Sequence, residues 1–247
     1  MLPFSRISQY GNTVNNQWYN EPNVLMAYDA FNFVSTGYGS AGFTDYKGKT
    51  IKVDTQYTTS PVPNIASTGP LNKFGSKGIC TFGAGLVADN SQIPYTITNS
   101  SFTMDMWYRQ ETTTGTESGP FFLYTAMVSN SGKYGIWCNM DGQGPRYQNN
   151  GANITRPQSS YAAMISTSWV HIAYVYDAGP QMNYFFINGT LSDSFQYRIN
   201  QPTGATYCGI IGHVNSPTGT NHSYVDRVRL SSGARWTSSF SVSTIYP

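Results

Sequence analysis

Alternation of apolar and polar positions at a period of two marks the chain between residues 102 and 230. Phe102, Met104, Met106 and Tyr108 alternate with Thr103, Asp105, Trp107 and Arg109, which predicts a strand over 102–109. In the run 168–177, Trp169, His171, Ala173 and Val175 fall on one face, and Val170, Ile172, Tyr174 and Tyr176 on the other. Neither face is wholly polar, so this strand is expected to be covered on both sides. Asn188-Gly189, between the hydrophobic flanks Phe186-Ile187 and Leu191, supplies the positive φ angles of a tight two-residue hairpin turn. Shorter runs rich in β-branched and aromatic residues predict strands at 24–28, 50–57, 79–82, 95–97 and 224–230. Residues 121–128 and 133–140 are expected to pair as a hairpin around Asn130-Ser131-Gly132. Residues 237–246 predict a last strand that meets the N-terminal one. The stretches 112–119, 142–160 and 214–223 read as loops, with no helix beyond a turn at 159–164.

About a dozen short strands separated by turn signals is the pattern of a two-sheet antiparallel sandwich. The simplest division is an extended, polar N-terminal arm over residues 1–22 and one all-β domain over 23–247. Leu2, Phe4, Ile7 and Tyr10 are the apolar residues of the arm and its candidate assembly anchors.

Composition narrows the function classes. Charged residues are 11% of the 247, against about 25% in an average domain. Aromatics reach 15%, with 19 Tyr, so solubility rests on Ser, Thr, Asn, Gln and Gly. That surface suits an assembled or ligand-facing β protein. A net charge of +2 without a Lys/Arg cluster argues against nucleic acid and membrane partners. Cys80, Cys138 and Cys208 are an odd, widely spaced set, expected as buried thiols in a protein folded in a reducing cytoplasm. No apolar run is long enough for a transmembrane helix, and the first residues lack the pattern of a signal peptide.

Catalytic signals are weak. Glycanases need two carboxylates across a sugar, and Glu21, Glu111 and Glu117 are the only glutamates, with no alternating acids on a strand. Asp105 reads as a salt-bridged strand aspartate, His171 as a packed one, and no Gly-x-Ser-x-Gly elbow occurs. No catalytic residue is assigned. Sugar binding uses aromatic platforms beside planar amides; Tyr147, Gln148, Asn149 and Asn150 form the most suggestive stretch, placed in a long loop, with Trp236 a second aromatic candidate. Exposed aromatic-polar loops serve protein interfaces equally well.

A family resemblance rests on the order of these pieces. Trp169, His171, Ile172, Ala173 and Asp177 are followed by Tyr184, Ile187-Asn188-Gly189 and Leu191, then Ile211-Gly212, then Val225-Asp226, Val228-Arg229-Leu230 and a trailing aromatic. Together with Phe102-Thr103, Trp107 and Arg109, this resembles the concanavalin A-like jelly roll in its laminin G-like branch, over about residues 23–240. The resemblance implies a jelly-roll β-sandwich but no single function, because the fold hosts lectins, glycanases, adhesion modules and viral coat components. Relatives often bind calcium; Asp226 matches the family aspartate and is the one weak structural calcium candidate, while the scattered aspartates lack an Asp-x-Asp-x-Asp cluster. No other cofactor or metal is expected. The opening Met1-Leu-Pro-Phe-Ser-Arg-Ile7 with Tyr10-Gly-Asn12 is similar to virion proteins of tailed bacteriophages. What this implies is a non-enzymatic virion structural protein, a capsid decoration (cement) protein or a tail or fibre accessory. Its arm would dock on a capsid or tail protein of the same virion, as part of a homo-oligomer made and assembled in the host cytoplasm, and its sandwich would face host-surface glycans. The alternatives are a free bacterial carbohydrate-binding or adhesion module and, behind it, a glycan hydrolase.

Overall fold

A computed structural model of the chain describes residues 18–29, 42–53, 64–65, 79–80, 86–89, 100–110, 118–121, 124–126, 134–139, 145–149, 152–164, 166–199, 207–211 and 223–242. The strands in chain order are β1 (Val24–Tyr28), β2 (Phe43–Thr44), β3 (Thr50–Val53), β4 (Asn64–Ile65), β5 (Ile79–Cys80), β6 (Leu86–Asp89), β7 (Phe102–Gln110), β8 (Ser118–Phe121) and β9 (Tyr124–Ala126). After them come β10 (Tyr134–Asn139), β11 (Pro145–Asn149), β12 (Ala152–Thr155), β13 (Val170–Asp177), β14 (Met182–Ile187), β15 (Thr190–Gln196), β16 (Tyr207–Ile211) and β17 (Ser223–Ser232). A 3-10 helix, Gln158–Met164, precedes β13.

These strands form an antiparallel sandwich, as the alternation predicts. An eight-stranded sheet runs β15-β14-β13-β7-β17-β5-β4, with β1 also paired to β17. The opposite layer is divided into a five-stranded sheet, β2-β3-β6-β16-β9, and a four-stranded sheet, β12-β11-β10-β8. The main core lies between the layers. It joins Phe102, Met104, Met106 and Tyr108 of β7 and Ile172 and Tyr174 of β13 to Ile51 of β3 and Ala88 of β6, with Ile154 of β12 packed against it. Each large apolar side chain fully buried there contributes about 1.5–3 kcal/mol.

The other face of the eight-stranded sheet is covered too, so β13 is buried on both sides as its sequence predicts. The segment after Trp18 closes one part: Trp18, Val24 and Ala27 pack with Trp107. A strap over residues 233–242 closes another, with Trp236 and Phe240 against Ala173, Val175 and Phe186. This corrects the expected strand over 237–246, whose described part, residues 237–242, contains no strand. The strand that meets β1 is β17. Gly233 at φ 85° turns the chain off the sheet, and Phe240 N–H donates to the Gly189 carbonyl at 2.8 Å, fixing the strap on the hairpin. Asn188 and Gly189 at φ 50° and 77° form the predicted β14–β15 turn.

Two further expectations change. Residues 121–128 do not form one strand of a hairpin with 133–140. Phe121 of β8 pairs with Trp137 of β10, whereas Tyr124–Ala126 joins β16 in the other sheet, so this segment bridges the two parts of the layer. The stretch 142–160 is not one loop. It contains β11, β12 and the start of the 3-10 helix, and Asn149 pairs with Ala152 across a two-residue connection.

Candidate functional site

The charged centre of the eight-stranded sheet is set by register. On β7, Asp105 lies opposite Ala173 of β13 on one side and Arg229 of β17 on the other, and Trp107 lies opposite His171. The Arg229 guanidinium forks onto the carboxylate, Nε to Oδ1 and Nη2 to Oδ2, both at 2.9 Å. His171 Nε2 stands 3.2 Å from Oδ2. An ionised carboxylate only accepts, so Nε2 carries the proton of that bond. Burial alone would raise the Asp105 carboxyl, but the Arg229 charge and the His171 bond outweigh it and hold it well below the usual carboxylate range. All three side chains are fully buried. The expectation of a salt-bridged aspartate and a packed histidine is met, with Arg229 as the ionic partner.

Register on β17 depends on a bulge between Asp226 and Arg229, where Arg227 takes φ 47°. The extra residue keeps Val225, Val228 and Leu230 in the core. Asp226, buried at this bulge, accepts the Arg227 N–H at 2.9 Å. Among the described residues no group of three or more His, Cys, Asp or Glu is placed to share a metal ion.

The same arginine fastens the N-terminal segment. Arg229 Nη1 donates to the Trp18 carbonyl at 2.7 Å and lies 3.6 Å from Glu21. Arg235 of the strap also holds Glu21, donating from Nη2 to Oε1 at 3.0 Å and from Nη1 to Oε2. Trp18 is buried, with Tyr19 and Tyr46 stacked beside it at 4.2 Å. The segment Trp18–Glu21 is therefore held by two arginines and an aromatic cluster. Leu2, Phe4, Ile7 and Tyr10 lie outside the described residues.

Each carboxylate whose side chain is described has a structural partner. Asp29 accepts from Tyr46, Asp177 from Ser101, and Asp193 takes a bidentate Arg156 at 2.7 Å together with Tyr161. Asp45 accepts the N–H groups of Ala27, Lys47 and Lys49; burial still raises its carboxyl above the ordinary value, with those bonds opposing.

The sugar-binding candidates separate. Tyr147, Gln148 and Asn149 lie on β11 rather than in a loop, and Asn150 is outside the described residues. Tyr147 is the cross-strand partner of Ile154, and Gln148 that of Asn153. Trp236 is half-buried in the strap, stacked on Phe240 at 4.0 Å and edge-on to His171 at 6.4 Å. The Asn150-Gly151 dipeptide, a hairpin signal of the same kind as Asn188-Gly189, marks this turn in the sequence, and the polar run beside it concealed the strands.

Comparison with known proteins agrees with this architecture. The family model described as the concanavalin A-like lectin/glucanases superfamily matches residues 84–238, well over half of the 247. No curated protein matches the chain in sequence. Solved structures that resemble it include the binding domain of botulinum neurotoxin serotype D, at TM-score 0.55 and 12% identity, with 87% of this chain and 48% of that one covered. The receptor binding domain of the C/D mosaic serotype aligns at TM-score 0.54 and 12% identity over 87% and 49%. A structure of botulinum neurotoxin type C, whose cell entry is described as dependent on interaction with two ganglioside molecules, aligns at TM-score 0.52 and 12% identity over 86% and 49%. The chain thus spans about half the length of these structures, and at such identity the likeness is one of fold. The chain belongs to the concanavalin A-like lectin/glucanase superfamily.

Proposed function

We propose that this member of the concanavalin A-like superfamily is a non-enzymatic virion structural protein of a tailed phage, a capsid decoration protein or a tail or fibre accessory, whose sandwich faces host-surface glycans. One observation carries the non-catalytic part: each carboxylate with a described side chain is tied to a fold-holding partner, and the His171–Asp105 pair, the nearest thing to a catalytic couple, is sealed from solvent. A substrate cannot reach a fully buried pair, and the second acceptor position of Asp105 belongs to Arg229.

The anchored root at Trp18 and Glu21 supports the assembly part. A tether transmits load when its base is fixed, and this base is fixed to Arg229 of β17 by a buried hydrogen bond from the guanidinium and an ion pair with Glu21. In this reading Leu2, Phe4, Ile7 and Tyr10 seat in a capsid or tail protein, and copies of the chain decorate the particle as a homo-oligomer. Any structural calcium would use Asp226 and backbone carbonyls of loops near it. The free carbohydrate-binding or adhesion module remains the second reading, favoured by the fold shared with a toxin receptor binding domain and with a toxin described as interacting with gangliosides.

The discriminating experiment adds purified chain to phage particles that lack it and sediments the mixture. Full-length chain is expected in the pellet, and a chain lacking residues 1–17 in the supernatant. The deletion stops at residue 17 because Trp18 is part of the folded domain. Equal pelleting of both, or of neither, contradicts the virion reading.

A further inference from the structure

The outer face of the eight-stranded sheet is closed by two covers that come from opposite ends of the described chain. In the first, Trp18–Glu21, Trp18 packs on Ala27 and Trp107; the second, the strap over residues 233–242, lies on Ala173, Val175 and Phe186. Neither cover contains a strand. A segment outside the ladders is held by a handful of bonds and belongs to the low-stability part of a fold. For the strap those bonds include Phe240 N–H to the Gly189 carbonyl, Leu191 N–H to Ser239 Oγ at 2.9 Å and Arg235 N–H to Thr103 Oγ1 at 3.0 Å. For the N-terminal cover they include Arg229 Nη1 to the Trp18 carbonyl, Val24 N–H to the Glu21 carbonyl at 3.0 Å and Ser232 N–H to the Asn23 carbonyl at 2.8 Å.

Two links join the covers to each other. The first is Glu21. Its carboxylate takes both Nη atoms of Arg235 and stands 3.6 Å from Arg229, so one side chain connects the N-terminal cover, the strap and the floor beneath them. Contact then runs along the strap: the Arg235 guanidinium lies 5.1 Å over Trp236, Trp236 stacks on Phe240 at 4.0 Å, and Phe240 is fixed on Gly189. The second link is apolar and independent of charge. Val242, at the far end of the strap, packs with the cluster of Trp18, Val24, Ala27 and Trp107. His171 lies beneath both covers, edge-on to Trp107 at 5.7 Å and to Phe240 at 6.0 Å.

We propose that the two covers open and close as one unit, with Glu21 as the latch between them. The strap is thereby sensitive to whatever holds the N-terminal segment: a partner that fixes Trp18–Glu21 keeps the strap down, and one that draws the segment away releases it. Release uncovers Ala173, Val175 and Phe186, an apolar face that the closed protein hides. The coupling is carried by contacts that exist only while both covers are seated. Lifting either one removes the Glu21–Arg235 pair and the Val242 contact together, and so loosens the other. Glu21 is the accessible member of the arrangement, with 37% of its side chain in solvent; salt reaches this latch and does not reach the fully buried Asp105–Arg229 pair below it. The coupling is a property of the free chain and is independent of the virion role.

Amide exchange of the full-length chain, followed residue by residue by NMR, tests it. The reporters are Phe240 and Leu191 for the strap and Val24 and Ser232 for the N-terminal cover. Glu21→Gln alters the N-terminal cover alone, yet should speed exchange at Phe240 and Leu191 about threefold, the scale of a part-exposed ion pair. Trp236→Ala, a change in the strap, should speed Val24 and Ser232 by at least as much. Glu21→Gln and Arg235→Gln together should do no more than Arg235→Gln alone, because both remove one interaction. Salt at about 0.5 M should speed the same four amides in the unaltered chain and have little further effect on Glu21→Gln. Should Trp236→Ala fail to fold, Val242→Ala serves in its place with the same expectation. Variants that speed only their own cover, additive effects of the two latch substitutions, or equal speeding at Met106 and Tyr174 of the central strands each overturn the proposal, the last because it reports a loosening of the whole fold.

Discussion

Strands β13 and β15 belong to the same sheet, yet they relate to solvent in opposite ways. Every residue of β13 from Val170 to Tyr176 is buried, because the core covers one face and the two terminal segments cover the other. Strand β15, at the edge of the same sheet, has Phe195 as its one buried residue and leaves Thr190, Ser194 and Gln196 exposed. A strand covered twice spends all its side chains on architecture, including its histidine. A strand at the edge keeps part of its side chains in solvent. The family-bearing motifs sit on the first kind of strand, which is why they identify the fold and say little about the ligand.

The largest effect expected from breaking this comparison is at Arg229. Arg229→Met leaves Asp105 ionised and buried without its partner, which should cost about 3–5 kcal/mol in urea unfolding. A cost below about 1 kcal/mol would mean that the pair does not hold the sheet. Next comes Gly189→Ala. A Cβ there would lie 2.1 Å from the Phe240 carbonyl oxygen at a φ of 77°, so a loss of about 1–3 kcal/mol is expected. Tryptophan emission should also shift as the strap carrying Trp236 lifts; an unchanged spectrum and midpoint would place the strap elsewhere.

Acid provides a smaller test of the same buried centre. The folded-state pKa of Asp105 is depressed, so its contribution is present above the unfolded value of about 3.9 and is lost as pH falls through the lower folded value. Stability from this group should hold from neutral pH to about pH 4 and decline below it. Asp105→Asn should be less stable at neutral pH and should show a shallower acid decline; an identical acid profile would assign that decline to other carboxylates. The smallest effect is expected at the exposed edge: Ser194→Ala on β15 should change unfolding free energy by no more than about 0.5 kcal/mol. A loss above about 1 kcal/mol would show that Ser194 is an interior residue.

How far the sequence could be read follows the same division. The strands at 102–110, 170–177 and 182–187 and the Asn188-Gly189 turn were legible, because strong alternation and turn chemistry agree with the tertiary structure there. Residues 145–155 read as loop because strands rich in Asn and Gln have the composition of a loop. Residues 237–242 read as strand because Thr, Phe and Val favour strands, while the turn at Gly233 and the anchoring of Phe240 on Gly189 are tertiary facts. The partner of Asp105 was equally hidden. Arg229 lies 124 positions away in sequence, and only the β7–β17 register brings it opposite.

The central claim, that the doubly covered sheet is architecture held by the buried Asp105–Arg229 pair, can be measured directly by native-state hydrogen exchange. The account predicts that the amides of β7, β13 and β17 are the slowest to exchange and that Arg229→Met speeds all three together. Slow exchange there that the variant leaves unchanged would contradict it.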